Sequence, residues 1–381
     1  MTIQTLDTPG GPLRLLRPGA ASRDLRAWDA ADELLLATAA ERSARPPRLL
    51  VVDDAFGALS LGLSALFADS ALQAVADSAL AADALASNAE LNATVPAPET
   101  VHSWRNPPGG PFELIVLRIP RQADYLAWLL RWANGVLAPD GVILAGGMIK
   151  HLPDRSVDVF ADAVNTEHVL PARKKARVVI CQRGGTLLDG WPAQWRGYPV
   201  PELSAPVEGL PAVFARDKLD IGTAELLPLI GDAVATLEPG ARILDLACGN
   251  GVLGLAALNN RPDLLADFSD VSSQAVASVE HNLARLAFTE RARVFHADGV
   301  PGSSERYPLI LLNPPFHEGG VVGDHIALRL FEQASAHLAP GGRLLMVGNR
   351  HLGYHRSLRR FFREVEQRGA SPRFVVFEAS N

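Results

Sequence analysis

The stretch "LLNPPFHEGG", residues 311–320 of this 381-residue chain, concentrates side chains whose spacing suits chemistry. Leu309 to Leu312 read as a short apolar strand that runs into Asn313, Pro314, Pro315 and Phe316. The prolines have no N–H and a fixed φ, so they end the ladder, and Pro314 biases Asn313 toward extended geometry. The side-chain oxygen of Asn313 and the backbone oxygen of Pro314 are then two fixed acceptors. An exocyclic amine on an aromatic base is a poor nucleophile, because its lone pair is delocalised into the ring. Two acceptors holding its two N–H groups would aim that lone pair and stabilise the positive charge growing on nitrogen. Phe316 offers a face on which an extruded base can stack. Asn313, Pro314 and Phe316 are therefore the expected catalytic residues. Pro315 and His317 adjoin them as expected substrate contacts, although His317 reads equally well as a structural histidine.

A second pattern lies upstream. "ILDLACGNGVLG" sets Gly249, Gly251 and Gly254 after a strand, and Asp270 follows about twenty residues later. By itself this fits a dinucleotide fingerprint or a bare strand-to-helix turn. Asp245, four residues before the first glycine, shifts the balance. A phosphate gains nothing from a carboxylate there, whereas the amino group and sulfonium of S-adenosylmethionine would. Asp298, in "FHADGV", can accept a hydrogen bond from an adenine amino group. Asp245, Ala247, Gly249, Gly251, Asp270 and Asp298 are the expected cofactor residues.

The elements that must position these groups occur twice. "LLVVDDAFGALSLGL" (49–63) overlies "RILDLACGNGVLGL" (242–255), matching Asp53 to Asp245, Gly57 to Gly249 and Gly62 to Gly254 at a common offset of 192. "ELIVLRIPR" (113–121) overlies "PLILLNPPF" (308–316), and "VLAPDGVILAGG" (136–147) overlies "HLAPGGRLLMVG" (337–348). Apolar runs at 49–52, 114–117, 142–145, 242–246, 309–312 and 343–347 alternate with helical stretches such as 273–287. The expected fold class is α/β: two tandem doubly wound, Rossmann-like domains from an internal duplication. The expected boundaries are 1–181 for the first copy, 182–212 for a Gly/Pro-rich linker with a short strand or two, and 213–381 for the second. The first copy reads as degenerate: Leu59 takes the place of Gly251, and Arg118 and Arg121 replace Asn313 and Phe316. Arg118 and Arg121 are expected to meet RNA phosphate or to be ordinary surface cations. The same pair of readings applies to Lys174 and Lys175 in "ARKKAR" (172–177), and to Arg356, Arg359, Arg360 and Arg363 on one face of a helix.

A 48% apolar and 20% charged composition is that of a globular protein. No window is long and apolar enough for a membrane helix, and "MTIQTLDTPGG" lacks the features of a secretion signal. Cys181 and Cys248 are the only cysteines, so a disulfide framework or cysteine metal cluster is excluded and a cytoplasmic location is expected. No metal is assigned, since His351 and His355 have no ligand-like arrangement with Asp or Cys. A net charge of −6 argues against a uniformly basic nucleic-acid binder but leaves room for local patches.

The ordered series "DLACGNG", Asp270, "ADG" and "NPPF" resembles class I methyltransferases that modify exocyclic amines, over most of residues 214–348. The duplicated plan, with "NPPFHEGG" in the second copy only, resembles the tandem bacterial ribosomal RNA guanine-N2 methyltransferases. "GGMIKHLPD" and "LPARKKARVVI" (146–180) resemble their large-subunit branch. The resemblance implies S-adenosylmethionine as cofactor, 23S rRNA as substrate and a monomer. Through "VFARDKLDIGTAELL" (213–227) it also implies Phe214, Gly222 and Thr223 at the cofactor site. Alternatives are a 16S rRNA guanine-N2 enzyme, an adenine-N6 enzyme or a protein glutamine methyltransferase. The non-enzymatic alternative is an RNA-binding assembly factor on a dead fold.

Overall fold

A computed structural model describes residues 2–18, 25–42, 45–98, 100–201, 203–302, 305–315, 317–318, 321–322 and 325–381. The chain forms two compact units, Met1–Gln194 and Trp195–Asn381. No helix among the described residues is long and apolar enough to cross a membrane.

Each unit is built on a seven-stranded sheet, and the strand order is the same in both. In the first unit the order is Val101–His102, Ala71–Val75, Arg48–Val52, Phe112–Arg118, Leu137–Met148, Ala176–Gln182 and Asn165–Val169. In the second it is Ala292–His296, Leu265–Asp270, Arg242–Leu246, Tyr307–Leu312, Leu338–Asn349, Phe374–Ser380 and Glu364–Ala370. The first five strands in each order pair in parallel, and the sixth runs antiparallel to both of its neighbours, the fifth and the seventh. The stretch 182–212 divides between the units and contributes the hairpin Arg196–Tyr198 with Val207–Gly209 to the second.

The central strands are apolar throughout because both faces are covered. Ile243, Leu309, Leu311 and Leu345 pack into one core with the helices Val252–Asn260 and Ser273–Arg285. Their neighbours Leu244, Ile310, Leu312 and Met346 pack into another with the helices His325–His337 and Tyr354–Leu358. Alternation along each strand sends successive side chains to opposite faces, and one residue of slip would expose both sets.

The structural register of the two copies differs from the sequence match around the first strand. Strands Arg48–Val52 and Arg242–Leu246 pair identically with Ala71–Val75 and Leu265–Asp270, which sets the offset at 242 − 48 = 194. Gly57 (φ 85°) therefore corresponds to Gly251 (φ 83°); each is the left-handed N-cap of the following helix. Only glycine takes that conformation without cost, so geometry overrules the chance alignment of aspartates. Leu59 is consequently a core residue within the helix Ala58–Leu66 and blocks nothing. The offsets of the other two matched segments hold, with Phe112 and Tyr307 pairing to Leu137 and Leu338 in the two copies.

The expected helix through 355–368 is also corrected. The helix stops at Leu358 and a strand begins at Glu364, so the arginines of that run do not share one helical face.

Candidate active site

Parallel α/β sheets bind ligands at the C-terminal ends of their strands, where Ala247, Asp270 and Asn313 all follow or end a strand. Ala247 turns the chain with φ 54°, a strained conformation for a residue with a Cβ, and Gly249 and Gly251 follow with φ 55° and 83°. A Cβ on Gly249 would meet nothing within 4 Å, so that part of the turn borders open space. Asp270 holds the turn: its Oδ2 accepts from the Gly249 N–H at 2.9 Å and its Oδ1 from Ser272 N–H at 2.9 Å.

Asp245 is 1% exposed, and its Oδ2 accepts from the Gly254 N–H at 2.8 Å. Burial pushes its carboxyl up to about 8, against the Gly254 bond, which lowers it. The folded chain therefore keeps a proton that the unfolded chain releases near 3.8. This contribution to stability is complete below the unfolded value and is lost as pH rises through the folded one. Asp245→Asn keeps an acceptor and abolishes the titration. Its thermal midpoint should hold steady between about pH 5 and pH 8 while that of the wild type falls; parallel declines would show that other groups set the slope.

Asn313 follows the strand Tyr307–Leu312 and is locked by its amide nitrogen. Nδ2 donates to Asp220 Oδ2 at 3.0 Å and to Thr223 Oγ1 at 2.9 Å. Asp220 is the N-cap of the helix Ile221–Leu226, and the same Oδ2 accepts from the Thr223 N–H. An ionised carboxylate can only accept, so the –NH2 end of Asn313 must face it and the amide cannot be flipped. Asn313 Oδ1 is buried and has no partner among the described residues. A buried acceptor left unpaired costs roughly 1–3 kcal/mol, and a donor N–H placed there would relieve that cost. Pro314 is buried beside it and Pro315 is exposed. Phe316 lies outside the described residues, and His317 belongs to a two-residue strand paired with Val321–Val322.

The other expected residues are placed as follows. Thr223 is 5% exposed and serves Asn313 directly, while a Cβ on Gly222 would lie 3.0 Å from the Phe374 ring and from Asp220 Oδ2. Phe214 is 61% exposed and so is not packed into the site. Both oxygens of Asp298 are gripped by Arg329, at 2.6 and 2.7 Å. Its lone pairs are thus partly committed before any adenine arrives. Sequence reasoning missed Asp220 and Arg329. The D-x-x-T spacing of Asp220 and Thr223 is a helix N-cap signal that could have exposed the first; no local signal marks the second.

In the first unit the equivalent ground is filled. Asp53 (φ 58°) stands where Ala247 stands, and its carboxylate accepts from Asp77 N–H and from the Tyr125 hydroxyl at 2.9 and 2.8 Å. Tyr125 in turn accepts from Trp104 Nε1 at 2.7 Å, and Trp104 packs edge-on against Trp128 and Trp132. This chain crosses the C-terminal ends of three strands. These side chains occupy the loops that correspond to the glycine turn of the second unit, whereas Leu59 is packed in the core.

Arg118, at the Asn313 position, is likewise committed. It forms ion pairs to Asp29 at 2.8 and 2.9 Å and to Asp32 at 2.9 Å, with a side chain 21% exposed. Three of its five N–H donors are thus engaged inside the unit, which weighs against the expected contact with RNA phosphate. Asp29 is the N-cap of the helix Ala30–Ala40, as Asp220 is of its own helix. Both copies therefore tie the end of the fourth strand to a capping aspartate; only the second leaves an acceptor over. Arg121 lies 3.0 Å from His151, Lys174 pairs with Glu33 at 2.6 Å while 75% exposed, and Lys175 is exposed.

The fold and the site together define a tandem protein of the class I methyltransferase type. A 16S rRNA N2 methyltransferase from T. thermophilus, solved with AdoMet and guanosine, matches it with a TM-score of 0.76 at 23% identity, covering 100% of this chain and 98% of that one. The RLMG N-terminal domain model matches residues 3–185, and the methyltransferase small domain model matches residues 204–378. Ribosomal RNA large subunit methyltransferase G of Alcanivorax borkumensis is 38% identical, covering 97% of this chain and 95% of its own. That of Pseudomonas putida is 39% identical, covering 98% and 99%. The chain belongs to the ribosomal RNA large subunit methyltransferase G family.

Proposed function

We propose that the second unit transfers a methyl group from S-adenosylmethionine to the exocyclic N2 amine of a guanine in 23S rRNA, and that the first unit serves RNA recognition. The observation that carries this reading is Asn313: its Nδ2 is tied to Asp220 and Thr223, and its buried Oδ1 has no partner among the described residues. A pre-aimed acceptor suits an amine that must lose its planarity as it is methylated. Asn313 Oδ1 takes one N–H of the amine and the Pro314 carbonyl takes the other, with Phe316 as the stacking surface and Pro315 and His317 on the substrate side. The proton leaves only after nitrogen has become cationic, so no buried base is needed.

The residues present fit the cofactor, which supplies an electrophilic methyl group when bound. Gly249, where a Cβ would meet nothing within 4 Å, leaves room for it, while Gly251 takes the left-handed turn into the helix; Asp270 stands at the loop for its ribose, and Asp298 for its adenine, with Asp245 and Ala247 shaping the turn. The 23S rRNA assignment draws on the names of the relatives, and the N2 assignment on the family resemblance of the Asn313 hook. Transfer of labelled methyl to protein-free 23S rRNA, 16S rRNA and their subunits, followed by nucleoside analysis, tests it. Label in N2-methylguanosine of 23S rRNA is the expected outcome; label confined to 16S rRNA or to N6-methyladenosine would overturn the substrate assignment.

A further inference from the structure

The second unit contains a cationic cavity that the methyl-transfer site does not use. It has a volume of about 430 Å³ and lies between the helix Tyr354–Leu358 and the two antiparallel strands. Arg350, His355 and Arg359 line it, over a floor that includes Val375 and Phe377. Arg350 is held there by its Nε and Nη2, which donate to the Ser371 carbonyl at 3.2 and 2.7 Å. His355 and Arg359 are exposed and have no side-chain hydrogen bond or ion pair among the described residues. Strand alternation explains why no acid answers them. Val365 and Gln367 face the cavity, so Glu364 and Glu366 point to the other face. Glu378 is likewise turned away and pairs with Arg343 and Arg368.

The fold does not impose this chemistry. The corresponding place in the first unit holds a cavity of about 490 Å³ lined by Leu152, Val157, Phe160, Val164 and Val179. Arg177 is the one cation of that lining. The same architecture thus tolerates an apolar lining, and the two arginines of the second unit's cavity stand together with His355 and with no acidic partner among the described residues. Clustered like charges cost stability unless an anion joins them.

Position names the anion. Asn349, at the cavity rim, ends the strand next to Tyr307–Leu312, whose own end carries Asn313. One rim of the cavity therefore lies at the C-terminal edge of the sheet that carries Asn313, and its floor runs back along the two outer strands. We propose that Arg359, with His355 and Arg350, forms a subsite for a backbone phosphate of the RNA strand that carries the target base. The inference rests on the reading of the chain as an rRNA methyltransferase and adds where the RNA backbone is held.

The test measures binding of protein-free 23S rRNA to the full chain between about 50 and 200 mM salt, for wild type, Arg359→Gln and Arg359→Lys. Arg359→Gln should weaken binding about three- to tenfold at the lower salt and reduce the slope of log affinity against log salt by about one. Arg359→Lys should restore the slope, while S-adenosylmethionine affinity and thermal midpoint stay at wild-type values in both. Unchanged RNA affinity and slope in Arg359→Gln would overturn the subsite. So would inorganic phosphate binding that Arg359→Gln abolishes while RNA affinity stays intact, which would mark a free-anion site. Failure of the wild type to bind any rRNA would instead bring down the functional reading and this inference together.

Discussion

Asn313→Ala should lower kcat on rRNA by about 100- to 1000-fold, the scale on which loss of one aimed polar group lowers turnover. S-adenosylmethionine affinity should remain within a few-fold of wild type. The reason is geometric: among the described residues nothing pairs with Oδ1, and the Asp220 and Thr223 bonds keep it still. Asn313→Asp sharpens the test. A carboxylate there would face Asp220 across the position of the Nδ2 bond at 3.0 Å, and like charges at that distance repel. Turnover should fall despite retained acceptor oxygens, and raising the pH should not restore it. Isothermal titration with the cofactor and single-turnover methyl transfer separate binding from chemistry. Near-normal single-turnover rates in Asn313→Ala would show that the amine is held by something else.

The second large effect is on stability. Arg118→Ala strips Asp29 and Asp32 of their cation, and Asp32 is only 7% exposed. Burial already pushes Asp32 up to about 7, and Arg118 is what opposes it. Breaking a buried pair from one side costs about 3–5 kcal/mol; with Asp29 38% exposed, roughly 2–4 kcal/mol is expected here. Trp28, Trp104, Trp128, Trp132 and Trp191 all lie in the first unit, so tryptophan fluorescence in denaturant reports chiefly on it. The midpoint should shift to lower denaturant, while cofactor binding by the second unit persists. The salt slope of RNA binding should not change, because the guanidinium is committed internally. A reduced slope at unaltered stability would return Arg118 to the RNA surface.

Much of the molecule was legible locally. The apolar runs at 114–117 and 309–312 lie within observed strands, and the repeated order of segments is reproduced in two sheets of identical strand order. Such features are local because strand alternation and turn residues depend on neighbours a few positions away. The misreadings share a cause. Residue identity aligned Asp53 with Asp245, whereas left-handed backbone at Gly57 and Gly251 sets the true register. Charge alone left Arg118 as either an RNA contact or an ordinary surface cation, and the aspartates that pair with it lie 86 and 89 residues away in the chain.

By itself, the sequence determined that there are two α/β units, that only the second carries a hook of the Asn-Pro-Pro type, and that a glycine turn precedes it. Tertiary structure alone decided which end of the Asn313 amide has no partner among the described residues, that Asp298 is shared with Arg329, and that Trp104, Tyr125 and Asp53 form one hydrogen-bonded chain in the first unit. Each of those depends on hydrogen bonds between residues far apart in the chain, and their directions are set by which partner can donate. No local pattern encodes that; it exists only once the strands have brought the partners within about 3 Å of each other.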